Sequence, residues 1–427
     1  MLQVANPNTV LEQRRLAACP RGVGVQTQAF TASARNAEIW DVTGKRLIDF
    51  GSGIAVLATG HRHPRIVAAV QQQLESFHHT CFQVTPYESY IALCEKLNAL
   101  TPGGFAKKTA LFTTGAEAVE NAMKVAKAAT GRNAVIAFSG AFHGRTLMGM
   151  ALTGKVYPYK AGFGAMPPDV WHVPYPAEAL GVSVEDSIAA IEKLFKADVD
   201  PKRVAAIILE PVQGEGGFYI APPELFRKLR ALCDAHGILL VVDEVQTGFG
   251  RTGKMFALEH MGVEADLITL AKSLAGGFPL SALTGRAELM DAAAPGGLGG
   301  TYAGNPLAVA ASLAVIDVMQ DEQLPARAQT LGEKLTQSLR SLQAKVPELA
   351  EVRGLGAMVA AEFKDPATGA PLPAKVKAIQ DLALQKGLLL LSCGVNANVI
   401  RFLFPLTIED NVFEEGLALL AEAIAEA

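Results

Sequence analysis

The chain has 427 residues, half of them hydrophobic, and a formal net charge of -4 with neither sign gathered into a long block. At about 150 residues per domain this length implies two or three structural units, and the charge balance argues against nucleic acid or a polybasic membrane surface as the main partner. Five scattered cysteines (Cys19, Cys81, Cys94, Cys233, Cys393) without a CxxC pair indicate neither a disulfide framework nor a zinc site, and they read as reduced thiols.

In chain order, the stretch MLQVANPNTVLEQRRLAACPRG places its arginines after a short apolar segment and lacks the apolar core of about 7 to 15 residues that a secretory signal carries. No run approaches the roughly 18 consecutive apolar residues of a transmembrane helix. A soluble, cytoplasmic protein is the expectation. Residues 1–60 are read as an N-terminal segment that joins a small domain, residues 61–328 as a large domain and residues 329–427 as the small C-terminal domain.

Between about residues 60 and 325, short apolar runs alternate with segments of helical period. Ile66, Val70 and Leu74 fall on one helical face, as do Val119, Met123 and Ala126, while Leu225, Leu229 and Leu232 mark a helix that ends before Gly237. The runs between them cover residues 110–113, 134–138, 204–209, 238–242 and 267–270. This alternation predicts an α/β domain with a mainly parallel sheet covered by helices. The piece AAPGGLGGTYAGNP, residues 293–306, reads as a loop. From about residue 330, strand-like stretches at 358–363, 388–391 and 399–404 flanked by helices predict a smaller α+β unit.

Five polar motifs each follow one of the large-domain runs: TTGAE, SGAFHGRT, EPVQGEGG, DEVQTGFGRTG and AKS. In an open α/β sheet the carboxyl edge of the strands is where ligands bind, so these loops predict one composite site. Asp243 and Lys272 stand at the ends of two such runs. A lysine and an acid so placed suit pyridoxal phosphate: the lysine forms a Schiff base, and the acid keeps the pyridine nitrogen protonated so that the ring accepts electrons. Thr114 is a plausible N-cap with Glu117 completing a capping box; either this is an ordinary helix start, or its free N–H groups hold a phosphate that Gly115 lets approach closely. Phe142 can stack on a flat ring and Arg145 can grip a carboxylate at two points, the alternative being a packed phenylalanine and a solvated arginine. Glu210 and Glu215 flank Pro211 to Gly214 in an apolar loop, where carboxylates are more often ion-pair members than acids or bases. Arg401 lies inside an apolar stretch and needs an anion, either a side chain such as Glu215 or a substrate carboxylate.

Two patterns suggest other chemistry. Residues 248–253 match GxGxxG, yet five residues separate the match from its strand, so a flexible loop is the expected reading. His61 and His63, with His78 and His79, lack both a helical pair and a matching acid, and no metal site is expected.

Taken in order, the motifs TTGAEAVENAMKVAKAAT, FSGAFHGRT, EPVQGEGGF, DEVQTGFGRTG, LAKSLAGGFPL and GGTYAGNP resemble the class III (ω-amino acid) aminotransferases of the fold type I pyridoxal phosphate enzymes. The resemblance runs from Pro20 to Pro405 and beyond. Within the family it is similar above all to the bacterial 4-aminobutyrate branch, with the 5-aminovalerate branch near. What it implies falls on particular residues. Lys272 matches the Schiff-base lysine that also moves the proton, Asp243 the partner of the ring nitrogen, and Gln246 a contact to the ring's 3-oxygen. Gly115 and Ala116 match the phosphate turn, Phe142 the stacking aromatic and His143 its neighbour, and Glu210 joins this cofactor-binding set. Thr301 matches a residue that reaches the phosphate from a second subunit, which implies a homodimer or a dimer of dimers. Ile54, Arg145, Glu215 and Arg401 match the substrate side. Two departures stand out: Ala116 where relatives often carry Ser or Thr, and Phe142 where many carry Tyr. Each loses a hydroxyl, worth about 0.5 to 1.5 kcal/mol.

The implied reaction is a two-stage transamination from an ω-amino donor such as 4-aminobutyrate to 2-oxoglutarate. The resemblance also implies how one pocket serves both substrates: Arg145 binds the distal carboxylate of either, while Glu215 pairs with Arg401 and releases it when an α-carboxylate arrives. An aminomutase or racemase, a nicotinamide-dependent dehydrogenase using the Gly248 loop, and a protein of this fold without catalysis are the alternatives.

Overall fold

A computed structural model describes residues 6–427, so residues 1–5 of the expected N-terminal segment lie outside the described residues. The strands that carry the motifs lie side by side in a seven-stranded sheet, in the order Lys107–Phe112, Ser281–Arg286, Leu267–Leu270, Leu239–Asp243, Val204–Leu209, Ala134–Phe138, Val170–Val173. Only Ser281–Arg286 runs antiparallel, to both of its neighbours. The alternation of side chains along the strands divides them between two cores: Ile136, Ile207 and Leu240 join one, while Val135, Ile208 and Val241 join the other. Val119, Met123 and Ala126 of the helix Gly115–Thr130 cover the second face, and Leu225 and Leu229 of the helix Pro223–His236 belong to the first. Buried on both faces, the central strands read as unbroken apolar runs. Each fully buried Val, Leu or Ile contributes about 1.5–3 kcal/mol.

The C-terminal region forms a second, antiparallel sheet of Leu349–Leu355, Met358–Phe363, Val399–Phe402 and Leu391–Cys393, with helices Leu324–Gln343, Pro373–Lys386 and Asp410–Glu426. The N-terminal strands Thr31–Arg35, Glu38–Asp41 and Arg46–Asp49 extend this region, because Leu388–Leu389 pairs in parallel with the last of them. Phe50 then packs against Phe402, Phe404 and Phe413.

Four expectations need correction. The stretch 388–391 is not one strand: the chain changes sheets at Leu390, pairing first with Arg46–Asp49 and then with Val399–Phe402. The strand expected over 399–404 stops at Phe402, three residues before Pro405, whose backbone cannot donate to a ladder. Leu74 shares the helix Pro64–Ser76 with buried Ile66 and Val70 but is 52% exposed. Finally, the Gly248 loop is buried rather than loose. Arg251 is inaccessible, its Nη1 donates to the Phe404 carbonyl at 2.7 Å, and its own carbonyl accepts from Ala357 at 3.0 Å, so the loop clamps the large sheet to the C-terminal region. His61 and His63 are occupied by Asp49 (3.4 Å) and Glu322 (3.1 Å). No helix among the described residues is long and apolar enough to cross a membrane.

Candidate active site

The carboxyl ends of five parallel strands meet at one edge, and a cavity of about 560 Å³ opens there. Gly115, Ala116, Phe142, Glu210, Asp243 and Lys272 line it, one or two from each motif loop, and His143, Arg145 and Gln246 join them. The loops were far apart in the chain; parallel pairing brings them together.

Lys272 sits two residues beyond the end of the strand Leu267–Leu270, at a left-handed φ of 46°, and opens a short turn closed by Gly276. Its neighbour Ser273 donates to the Ala55 carbonyl at 2.8 Å, which pins the turn to the N-terminal segment. Burial pushes the Lys272 ammonium below its usual range, and Arg401 adds to that against the carboxylates of Glu215, Asp243 and Glu210. A lysine held this way moves toward the neutral amine that a nucleophile requires.

Asp243 ends the strand Leu239–Asp243 and is 3% exposed. One carboxylate oxygen accepts from the Val245 N–H at 3.0 Å and the other faces His143 Nδ1 at 2.7 Å. Burial pulls the His143 imidazole down, but the hydrogen bond and the charge of Asp243 outweigh it and hold the ring above its usual range. Glu210 accepts from the Phe142 N–H at 3.0 Å and from the Gly214 N–H at 3.1 Å, so it staples two of the motif loops together. Burial pushes its carboxyl up to about 7, with Asp243 adding to the shift and His143 opposing it.

At the other end of the cavity, Thr114 caps the helix Gly115–Thr130: its hydroxyl accepts from the Glu117 N–H at 3.3 Å, and the Glu117 carboxylate accepts from Thr114 at 2.9 Å and Thr113 at 2.7 Å. The first N–H groups of a helix have no partner within it, so those of Gly115 and Ala116 are available to a phosphate. Gly144, at φ 113°, passes so close that a Cβ there would sit 2.8 Å from the Ala116 Cβ. Gln246 Oε1 is buried and has no partner among the described residues. An anion-ready helix end, an unclaimed acceptor, a carboxylate and a buried lysine around one slot fit a flat phosphorylated cofactor such as pyridoxal phosphate.

Arg401 and Glu215 do not line that cavity but stand beside it. Arg401 is 5% exposed and forms an ion pair with Glu215, while its Nη1 also donates to the Gly214 carbonyl at 3.2 Å. Burial alone would raise the Glu215 carboxyl, yet Arg401 brings it below its usual range; burial would lower the Arg401 guanidinium, and Glu215 brings it above. Glu215 is thus one of the two anions expected for Arg401. Arg145 is exposed at the rim, with its guanidinium 5.2 Å from the Tyr159 ring.

Two further expected residues stay outside the cavity lining. Thr301 lies on an exposed turn of this chain. Ile54, 42% exposed, sits in the segment Ser52 to Ala55, whose φ angles of 45° to 66° are all left-handed. Such strain for residues other than glycine collects at binding sites, and the next residue, Val56, does line the cavity. The sequence reading passed over Val245, which lines the cavity, and Tyr159, whose ring packs against Phe142 at 5.0 Å and a tilt of 59°. Tyr159 belongs to LTGKVYPYK, a stretch with no strand end or helix start to mark it.

The Aminotransferase class-III family profile matches residues 21–424. The 5-aminovalerate aminotransferase DavT of Pseudomonas putida is 57% identical over 99% of this chain and 100% of its own length. The 4-aminobutyrate aminotransferase GabT of Escherichia coli is 55% identical over 99% of both chains. Among solved structures, the ornithine aminotransferase of Toxoplasma gondii aligns with a TM-score of 0.88 at 30% identity, covering 100% of this chain and 96% of its own.

Proposed function

This chain belongs to the class-III aminotransferase family and its cofactor is pyridoxal phosphate, and from that premise we propose that it moves the terminal amino group of 4-aminobutyrate to 2-oxoglutarate, giving succinate semialdehyde and glutamate. Bound pyridoxal phosphate supplies an aldehyde that takes up the amine and a ring that accepts electrons when the amine-bearing carbon loses its proton. Lys272 holds the cofactor through its amine and, once freed, moves that proton. Asp243 keeps the ring nitrogen protonated, and His143 fixes the orientation of Asp243. Phe142 stacks on the ring, Gln246 meets its 3-oxygen, and Gly115 and Ala116 hold the phosphate. Glu210 acts by holding the Phe142 and Gly214 backbones. Thr301 reaches the phosphate of a second copy, so the working form is a homodimer or a dimer of such dimers.

The ion pair of Arg401 with Glu215 beside Lys272 carries the substrate reading. A donor with one carboxylate leaves that pair closed and rests its carboxylate on Arg145. An acceptor with two carboxylates uses Arg145 and opens the pair, taking Arg401 for its α-carboxylate. Ile54 borders the substrate.

A second donor, 5-aminovalerate, is favoured by the 57% identity to the Pseudomonas putida 5-aminovalerate enzyme. One methylene in a fitted pocket changes kcat/KM by about 10- to 200-fold, so the two donors separate in a direct comparison of glutamate formation from 2-oxoglutarate. A higher kcat/KM for 5-aminovalerate overturns the first assignment. No glutamate from either donor overturns the ω-amino reading.

A further inference from the structure

If Arg401 turns to a substrate carboxylate, Glu215 loses its partner in a place where an unpaired carboxylate is strongly destabilising. The carboxylate needs a second cation. Lys155 is joined to the backbone of the same residue by a short link: Lys155 Nζ donates to the Gly394 carbonyl at 3.0 Å, and the Gly394 N–H donates to the Glu215 main-chain carbonyl at 3.0 Å. That is the single hydrogen bond of the Lys155 side chain among the described residues, and no described carboxylate lies within ion-pair distance of it. An ammonium has three donors, so two remain for an arriving carboxylate. A half-buried lysine without an anion, beside a carboxylate that has to move, is a pairing left open.

The other groups around Glu215 are committed or neutral. Lys272 carries the chemistry. Burial pushes the Cys393 thiol up to about 12, and burial with Glu215 raises the Tyr159 phenol, so neither offers charge. Arg145 faces the Tyr159 ring and serves the distal carboxylate. Burial leaves the Lys155 ammonium below its usual range, with Glu215 opposing the shift in part.

We propose that Lys155 is the second counter-ion of Glu215: the carboxylate pairs with Arg401 while the donor is bound and passes to Lys155 when Arg401 takes the α-carboxylate of the acceptor. This rests on the Glu215–Arg401 exchange put forward above. Lys155 is thus a positioning residue that touches no substrate and sets how easily the second carboxylate is admitted.

Equilibrium binding to the holoenzyme tests it without turnover. Glutarate offers two carboxylates and no keto group; butyrate offers one. By calorimetry, Lys155→Met raises the Kd of glutarate about tenfold, the scale of one lost charge-assisted hydrogen bond, and changes that of butyrate less than about twofold. Lys155→Arg restores glutarate binding. In a Glu215→Ala background, Lys155→Met no longer matters, because the group that it would receive is gone. Equal weakening of both ligands, or the same loss in the Glu215→Ala background, overturns the proposal and leaves Lys155 as a brace for the Gly394 loop. Glu215→Ala alone separates the two readings. If it fails to tighten glutarate relative to butyrate, the Arg401 exchange itself is wrong; if it does tighten glutarate while Lys155→Met has no selective effect, only the role of Lys155 falls.

Discussion

In and next to the cavity floor, carboxylates take main-chain hydrogen bonds: Asp243 from the Val245 N–H beside its contact with His143, Glu210 from those of Phe142 and Gly214, and Glu244, the buried neighbour of Asp243 that does not itself line the cavity, from those of Ala257 at 3.1 Å and Leu258 at 2.6 Å as well as from the Thr247 hydroxyl. At the rim, Glu215 is held by a side chain, Arg401. The electrostatics diverge accordingly. Burial pushes Glu210 and Glu244 up to about 7, whereas Arg401 keeps Glu215 below the usual carboxylate range. A carboxylate bound to main-chain N–H groups cannot leave without stranding them, but an ion pair between two side chains can be exchanged for another at small net change. Fixed contacts therefore suit groups that act alike in both half-reactions, and exchangeable ones suit groups that must tell two substrates apart.

The largest expected effect belongs to the floor. Lys272→Ala removes turnover in both half-reactions and leaves far-UV circular dichroism unchanged, since a buried cation is replaced by a small apolar group. Borohydride treatment followed by mass measurement then finds no cofactor attached to the chain. Residual turnover with both substrates would mean that some other amine does the work and that the floor is not the shared machinery.

At the rim the effects should split by substrate. Arg401→Ala weakens the 2-oxoglutarate half-reaction by about 2 to 5 kcal/mol, the range for losing one member of a buried charge contact, and leaves the 4-aminobutyrate half much less affected. Glu215→Ala acts in the opposite sense, improving glutamate as a donor relative to 4-aminobutyrate. Single-turnover rates followed by cofactor absorbance measure each half separately. Uniform slowing of both halves by either variant would erase the distinction between floor and rim.

The floor was legible in the sequence because position along the chain marks it. Asp243 and Lys272 each follow an apolar run, and Thr114 with Glu117 spells a capping box, so local pattern and sheet geometry together locate them. Arg401 was legible for a different reason, as a charge inside an apolar strand, and Glu215 only as one of two partners for it. Lys155 and Tyr159 carried no mark, since their roles come from contacts with Gly394 and Phe142 across the fold. The antiparallel strand Ser281–Arg286 was missed because serine, threonine and glycine interrupt its apolar residues, and the switch at Leu390 because one apolar stretch serves two sheets. The N-terminal strands, half-exposed and short, give little periodicity to read.

The contrast in electrostatics makes a prediction about stability. In the folded protein Glu244 titrates at about 7, above the ordinary value of 4.5 that it regains on unfolding. Between those values the folded state binds the proton more tightly, so this contribution is complete below about pH 4.5 and is lost as pH rises through about 7. The window is worth roughly 3 kcal/mol. Glu210 adds in the same direction. Denaturant unfolding at about pH 5 and about pH 8 should show the native protein losing stability, and Glu244→Gln losing less, whatever constant offset the amide introduces. An unchanged slope in the variant would mean that Glu244 stays charged and that the floor, like the rim, relies on a partner cation.

The smallest effect concerns the phosphate end of the floor, where this chain departs from the pattern that it resembles. Ala116 lies in the first turn of Gly115–Thr130, lines the cavity, and keeps its backbone donor but has no hydroxyl. Ala116→Ser adds one donor beside N–H groups that already face the anion site, and the close passage of Gly144 leaves the open cavity as the side to which the hydroxyl can turn. The gain is one hydrogen bond, about 0.5 to 1.5 kcal/mol, which makes cofactor release roughly 2- to 12-fold slower. Both half-reactions should keep their ratio, because the phosphate contact is the same in each. Release can be timed by dialysis with absorbance at intervals. Faster release would mean that the added hydroxyl crowds the helix start, and a change in the ratio of the half-reactions would show that the phosphate end, too, distinguishes the two substrates.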